Sequence, residues 1–268
     1  DLIKEVINGL CIVGINNKLG VIDTLGREIT PIKYDEIRRF SKSFAQVRIG
    51  EKWGYINKFG QEIIPLKYSD SEPYYSGKAY VKLDNKWGVI DTNDRIIIPF
   101  LYDGLYYFDD NLISISVNKK YGLIDSMGNE IIPPKYDYID IENKLLIVRL
   151  HKKKGCFDLN GKPILEVKYQ SIEIINDNLL IVGCKGKFKC VDKTGAEITT
   201  TEYQEIGYFS EGLAPVKKNN LWGYIDENGL LVIPFQYAYA SEFDTGKAQV
   251  SLNNRMYYID TLGNEIQK

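Results

Sequence analysis

Apolar and polar residues alternate in short runs broken by tight-turn residues, and nowhere does the spacing of an amphipathic helix persist over helical length. The stretch LWGYIDENGLLVIPFQY at 221–237 shows the pattern best. A run LAPVKK reaches Asn219-Asn220 and returns as LWGYID, a hairpin whose tip residues tolerate positive φ. The next turn, Asp226-Glu227-Asn228-Gly229, carries an Asp that can accept from backbone two residues on and a Gly free to take the left-handed conformation. The strand LLVI then reaches Pro234, which has no N–H to continue a ladder, and a short fourth segment around Tyr237 follows. The pattern predicts antiparallel strands throughout and no helix.

The same unit recurs at a fixed period. Its first half closes at Asp23, Asn57, Asp91, Asp125, Asp158, Asp192, Asp226 and Asp260, in steps of 34 residues with one of 33. Eleven positions on stand Tyr34, Tyr68, Tyr102, Tyr136, Tyr169, Tyr203 and Tyr237. Two β-branched columns run with them, one from Ile29 through Ile63 and Ile97 to Ile266, the other from Val13 through Val47 and Val81 to Val250. Apolar columns at such a period mean stacked supersecondary units, so both columns are expected to face a core.

KWGYINKFGQEIIPLKY at 52–68 and KWGVID at 86–91 resemble the bacterial WG-repeat family, named for its Trp-Gly pair, and the likeness covers essentially the whole chain. It departs in the fifth and sixth copies, where Lys154 and Phe188 hold the Trp position and Glu166 and Thr200 the Pro position. The resemblance implies an all-β repeat module that mediates binding, with no activity to place on particular residues.

The central strand is apolar on both faces, with Ile22, Ile56, Ile90 and Ile225 next to the Asp and Val21, Tyr55, Val89 and Tyr224 one residue earlier. Each unit must therefore be sandwiched between neighbours. Trp53, Trp87 and Trp222 are expected to be core residues burying about 150–250 Å² each. The Gly after each Trp leaves room for a neighbouring side chain; Lys189 and Tyr257 replace it, so positive φ is not what the position requires. Units start near residues 16, 51, 84, 118, 151, 185, 219 and 253, and residues 1–15 have the register to complete the last one. The expected architecture is eight β-meander units in one array over residues 1–268, closed as a β-propeller whose last unit is shared by both termini; the alternative is an open β-solenoid.

Charge narrows the partners. A net charge of -2 gives no general attraction to nucleic acid or an anionic membrane, and no run approaches the ~18 apolar residues of a transmembrane helix. Cys11, Cys156, Cys184 and Cys190 sit on strands as small hydrophobes, without a CxxC pair, and one His leaves little from which to build a zinc site. They ask for no oxidising compartment, which favours the cytoplasm slightly. The first residue is Asp1 rather than Met, which reads as a start inside a longer product, so an exported form stays open. The recurring Asp could form a carboxylate ladder for calcium, but each turn offers a single carboxylate, so the residues read as turn caps and no cofactor is expected. No nucleophile–base pair stands out, and the chain reads as non-catalytic. Two non-repeating features are candidate sites. One is a basic cluster, His151, Lys152, Lys153 and Lys154 with Lys185, Lys187 and Lys189, on equivalent hairpins of adjacent copies and suited to an acidic partner. The other is a set of tyrosines outside the core columns, Tyr75, Tyr80, Tyr107 and Tyr208, which could anchor a protein or stack on sugar rings. The expected role is a protein-interaction scaffold, with an envelope-glycan-binding module as the alternative.

Overall fold

The computed structural model describes residues 2–7, 9–41, 43–74, 77–109, 111–199 and 201–266, with residues 2–7 and Asp109 described by their backbone alone. Among these residues the chain is all strand and turn, an all-β repeat of about 34-residue meanders. It falls into two compact units, Asp1–Lys135 and Tyr136–Lys268.

In the first unit, a complete meander comprises Glu36–Ile37, Phe44–Ile49, Lys52–Asn57 and Glu62–Tyr68, hydrogen-bonded in chain order. The long hairpin of each meander turns mostly on two left-handed residues, as at Asn16-Asn17 and Asp84-Asn85, and in the second unit at His151-Lys152 and Asn219-Asn220. The tip residues expected to tolerate positive φ do adopt it.

The sheet boundaries differ from the expected ones. Leu2–Ile7 pairs with Leu10–Ile15, which pairs with Lys18–Asp23, so these strands open the first sheet. The last sheet takes all three of its strands from Tyr239–Ala240, Ala248–Leu252 and Arg255–Ile259. The physical reason is local. A two-residue turn at Asn16-Asn17 joins strands already adjacent in sequence, and short loops cost the least entropy to close. Each sheet thus begins just after the Tyr column.

Within each compact unit, cores lie between successive sheets. Tyr55 joins Ile64, Tyr68, Tyr74, Ala79, Val81 and Ile90 on one side of its sheet. Ile56, its neighbour in sequence, joins Ile12, Val21, Tyr34, Ile37 and Val47 on the other. The second unit repeats this, with Tyr224 packed toward Val250 and Ile259 and Ile225 toward Cys190 and Val216. The β-branched column at Val47, Val81 and Val250 is buried, as expected. The column at Ile29, Ile63 and Ile97 only borders the cores, and the next residue, Thr30, Ile64 or Ile98, is the fully buried one.

The repeating polar groups staple the array. Asp23 Oδ1 accepts the backbone N–H groups of Leu25 and Arg27, both at 2.9 Å, and the same pair of bonds recurs at Asn57, Asp91, Asp125, Asp158, Asp192, Asp226 and Asp260. The Asp is a turn cap, as its spacing predicts. The Tyr column ties one meander to the next, Tyr34 Oη donating to Glu62 at 3.1 Å and Tyr68 Oη to Asp94.

The Gly after the Trp makes room for a neighbouring side chain, as expected, at Gly88, where a Cβ would lie 2.8 Å from the Phe100 ring, and in other copies for backbone. A Cβ at Gly54 would lie 2.6 Å from the carbonyl oxygen of Ile64, and one at Gly223 2.5 Å from that of Ile233. The space is taken by the closing strand of the same sheet, which bulges there: Tyr55 pairs with Ile64 and Trp53 with Tyr68. Pro65 and Pro234 therefore sit inside closing strands, Glu62–Tyr68 and Leu231–Tyr237, and do not end them, because an outer strand at a bulge tolerates a missing N–H. Where Lys189 replaces this Gly, the sheet keeps three strands, and only the isolated bridges Phe188–Tyr203 and Val191–Glu197 follow.

Gly54→Ala should accordingly cost about 1–3 kcal/mol, the scale of overpacking, and should strip hydrogen-exchange protection from the Glu62–Tyr68 strand first. Unchanged protection there would contradict the close approach. Acid should also weaken the array. The Arg27 backbone N–H lowers the Asp23 carboxyl below its ordinary value, the Arg95 backbone N–H does so at Asp91, and the Asn264 side chain at Asp260. A depressed folded-state pKa contributes stability above the unfolded value, about 3.9, that is lost as pH falls through the folded one. Urea midpoints should hold to about pH 5 and fall below about pH 4; a midpoint rising into acid would overturn this.

Candidate functional site

In the first unit a cavity of about 590 Å³ is lined by Glu72, Pro73, Tyr80, Trp87, Leu105, Tyr106 and Tyr107. Two of the tyrosines singled out in sequence, Tyr80 and Tyr107, are brought together here. Tyr80 lies on Lys78–Leu83 opposite Val89, and Trp87 lies on Lys86–Asp91 opposite Lys82. Leu105, Tyr106 and Tyr107 come from Gly104–Asp109, the opening strand of the next sheet. A Cβ at Gly104 would meet the Tyr106 ring at 2.7 Å, so the glycine lets that ring lie across the strand.

Glu72 is pinned by its backbone. Its N–H donates to the Tyr80 carbonyl at 2.9 Å, and its own carbonyl accepts the Tyr55 hydroxyl at 2.5 Å. The side chain is exposed and is the one carboxylate among the lining residues. Tyr106 and Tyr107 are 60% and 56% exposed, whereas burial raises the Tyr80 phenol above its usual pKa. The walls are thus aromatic and the rim is acidic. Such a place favours a flat or cationic group over an anion.

Trp87 was expected in the core and is half-buried, as is Trp222; only Trp53, at 6% exposure, is a core residue. The difference lies in what covers each indole. Trp53 carries the Arg38 guanidinium at 4.3 Å from its ring centroid and that of Arg48 at 5.5 Å. Among the described residues, Trp87 carries the Lys82 ammonium at 5.9 Å and Trp222 that of Lys217 at 5.3 Å.

The remaining candidates lie elsewhere. Tyr75 is outside the described residues, and Tyr208 is in the second unit, 72% exposed. In the basic cluster, His151, Lys152, Lys185 and Lys187 are exposed and Lys153 and Lys154 half-buried. The His151 N–H caps on Asp137 Oδ2 at 2.7 Å and the Lys185 N–H on Gln170 Oε1 at 3.1 Å. Lys189 is engaged within its own sheet, 3.0 Å from Glu197 and 3.8 Å from Glu202. Cys156 and Cys190 are buried, and burial pushes both thiols up to about 12, so neither is a nucleophile at neutral pH. Among the described residues no three His, Cys, Asp or Glu side chains are grouped to hold a metal, and no helix is long and apolar enough to cross a membrane.

Sequence reading missed Glu72, Pro73, Leu105 and Tyr106. The signal was present in the columns: 34 residues earlier the same positions hold Arg38, Arg39, Ser71 and Glu72, so the lining is a local replacement of the repeat pattern.

The WG containing repeat matches the chain in seven consecutive copies, at residues 20–53, 53–87, 87–121, 121–153, 155–188, 190–222 and 222–255. The chain belongs to the WG-repeat family. No curated protein matches it. Among solved structures, this WG-repeat chain is similar to a eukaryotic initiation factor at 12% identity and a TM-score of 0.36, covering 97% of this chain and 84% of that one. Hsv2 of Kluyveromyces lactis aligns at 13% identity and a TM-score of 0.29, over 72% of this chain and 74% of its own. The extracellular domain of a hybrid two component system from B. thetaiotaomicron aligns at 9% identity and a TM-score of 0.30, over 98% of this chain and 45% of its own.

The contrast among the tryptophans is measurable. Trp53→Ala should cost about 3–5 kcal/mol, as for a buried large aromatic, and Trp87→Ala about 1.5–3 kcal/mol, as for partial loss of apolar burial. Equal shifts in denaturant midpoint would contradict the different covering of the two indoles.

Proposed function

We propose that this WG-repeat chain is a non-catalytic protein-interaction scaffold, and that a partner docks at the cavity walled by Tyr80, Trp87, Tyr106 and Tyr107. The observation that carries the reading is the juxtaposition of four aromatic side chains from two successive sheets around one cavity of about 590 Å³. Aromatic rings on rigid strands give a large contact area at little entropic cost, which is why they dominate binding energy at interfaces. A sheet frame holds them; no loop must order first.

A glycan-binding module is the second reading, favoured by the exposed rings of Tyr106, Tyr107 and Tyr208, which sugars could stack upon. The hairpin lysines at 151–154 and 185–189 offer an acidic partner a secondary contact, with Lys189 the least available because Glu197 holds it.

Tyr107→Ala, at a ring 56% exposed, should reduce capture of a protein partner by about tenfold or more, as an aromatic hot spot does. Capture is read from immobilised wild-type and variant chains against the same lysate, beside a glycan array. Glycan binding lost in Tyr107→Ala, with protein capture unchanged, would replace the scaffold reading by the glycan one.

A further inference from the structure

One repeat before the cavity, the equivalent place is filled by the chain itself. Arg38 and Glu72 stand 34 residues apart and have the same backbone setting, since the Arg38 N–H donates to the Gln46 carbonyl and the Glu72 N–H to the Tyr80 carbonyl, each at 2.9 Å. From that setting the Arg38 guanidinium reaches three groups. It lies over the Trp53 ring at 4.3 Å, it is 3.2 Å from Glu36 Oε1, and its Nη1 donates to the Ser71 carbonyl at 3.3 Å. Gln46 Nε2 donates to the same carbonyl at 2.8 Å.

Thirty-four residues on, the receiving groups persist and the two donors, Arg38 and Gln46, do not, while Lys82 keeps the more distant place of Arg48, 5.9 Å from the Trp87 centroid. Trp87 stands for Trp53, Asp70 for Glu36, and Leu105, whose residue lines the cavity, for Ser71. Glu72 stands where Arg38 did, and Tyr80 where Gln46 did. The exchange removes one cation and adds one anion beside an indole, and it widens the wall with Tyr106 and Tyr107, where the earlier repeat has Glu72 and Pro73. A guanidinium fits this chemistry better than an ammonium: it is planar, weakly hydrated, stacks on aromatic faces and donates in a fork to a carboxylate.

Resting on the scaffold reading, we propose that the cavity seats the guanidinium of an arginine side chain presented by the partner protein, stacked on Trp87 and paired with Glu72, as Arg38 is seated on Trp53 by the chain itself. The partner supplies in trans the group that the preceding repeat supplies in cis.

The probes are the capped tripeptides acetyl-Gly-Arg-Gly-amide and its citrulline and lysine counterparts. The readout is the indole N–H resonances of the three tryptophans, with Trp87 assigned through Trp87→Phe. The arginine peptide should move the Trp87 resonance selectively, and citrulline, which keeps the shape but loses the charge, should bind about tenfold more weakly or worse, the loss expected of a charge-assisted contact. Glu72→Gln, nearly isosteric, should weaken the arginine peptide about fivefold or more. Glu72→Arg should abolish binding by filling the place from within, and should shift the Trp87 resonance without any peptide. Equal binding of arginine and citrulline, indifference to both Glu72 variants, or no selective effect on Trp87 would overturn the proposal. The two readings fail separately. Partner capture that depends on Tyr107 without arginine-peptide binding leaves the docking surface standing and removes the guanidinium; arginine-peptide binding without any dependence of capture on Tyr107 removes the docking reading instead.

Discussion

A meander of strands two to seven residues long has two apolar faces and no interior, so within each compact unit the chain depends on sheets being covered by their neighbours. The third strand expresses this most directly. Tyr55 and Ile56 are adjacent in sequence, both are fully buried, and they belong to different cores. A one-residue slip of that strand would exchange the two cores at once, which fixes the register more firmly than hydrogen bonds could. The period is kept for the same reason. The single 33-residue step is taken up at the turn Asn143-Lys144, between an opening strand and its neighbour, where the preceding sheet has an irregular register between Tyr107 and Asp109. A residue can be lost there without moving the third strand.

The second constraint is the contact between the third and closing strands. Without a Cβ at Gly54 or Gly223, the closing strand comes close enough for its carbonyl to occupy that space, and it bulges around a proline whose missing N–H costs nothing on an outer strand. Lys189 shows the dependence from the other direction. With a side chain at that position the closing strand gives way to isolated bridges, and the lysine is held by Glu197 and Glu202. The Trp-Gly pair is thus two devices: the Gly admits the closing strand, and the Trp offers a face to whatever cation the neighbouring strands present.

Much of this was legible in the sequence, because a column repeated eight times averages out local accident. The strands, the turn tips, the Asp caps and the two-faced third strand all follow from it. The phase of the unit did not, since a repeat read along the chain can be cut anywhere, and only hydrogen bonding shows that Leu2–Ile7 and Leu10–Ile15 belong with Lys18–Asp23. The partial exposure of Trp87 and Trp222 did not follow either, whereas Trp53 is in the core as expected. Their columns say that a large ring recurs, but exposure is set by residues five and fifteen positions earlier, Arg48 and Arg38 for Trp53 against Lys82 and Glu72 for Trp87.

The candidate site follows from the same logic. In a repeat array the conserved-looking columns are occupied with holding the array together, so they report on packing and say little about partners. Specificity can enter only where a copy departs from its columns without losing its sheet. The fifth and sixth copies depart in the Trp and Pro columns themselves, and the sixth gives up its closing strand. The third copy departs differently. Trp87, Gly88, Ile98 and Pro99 all remain, so the sheet is whole, while positions 72 and 80 beside it and 105, 106 and 107 at the start of the next sheet differ from the preceding repeat around one cavity. Leu105 and Tyr80 also serve the core beneath the cavity, but Glu72, Tyr106 and Tyr107 are exposed, and they spare the frame while converging beside an indole that a second chain can reach.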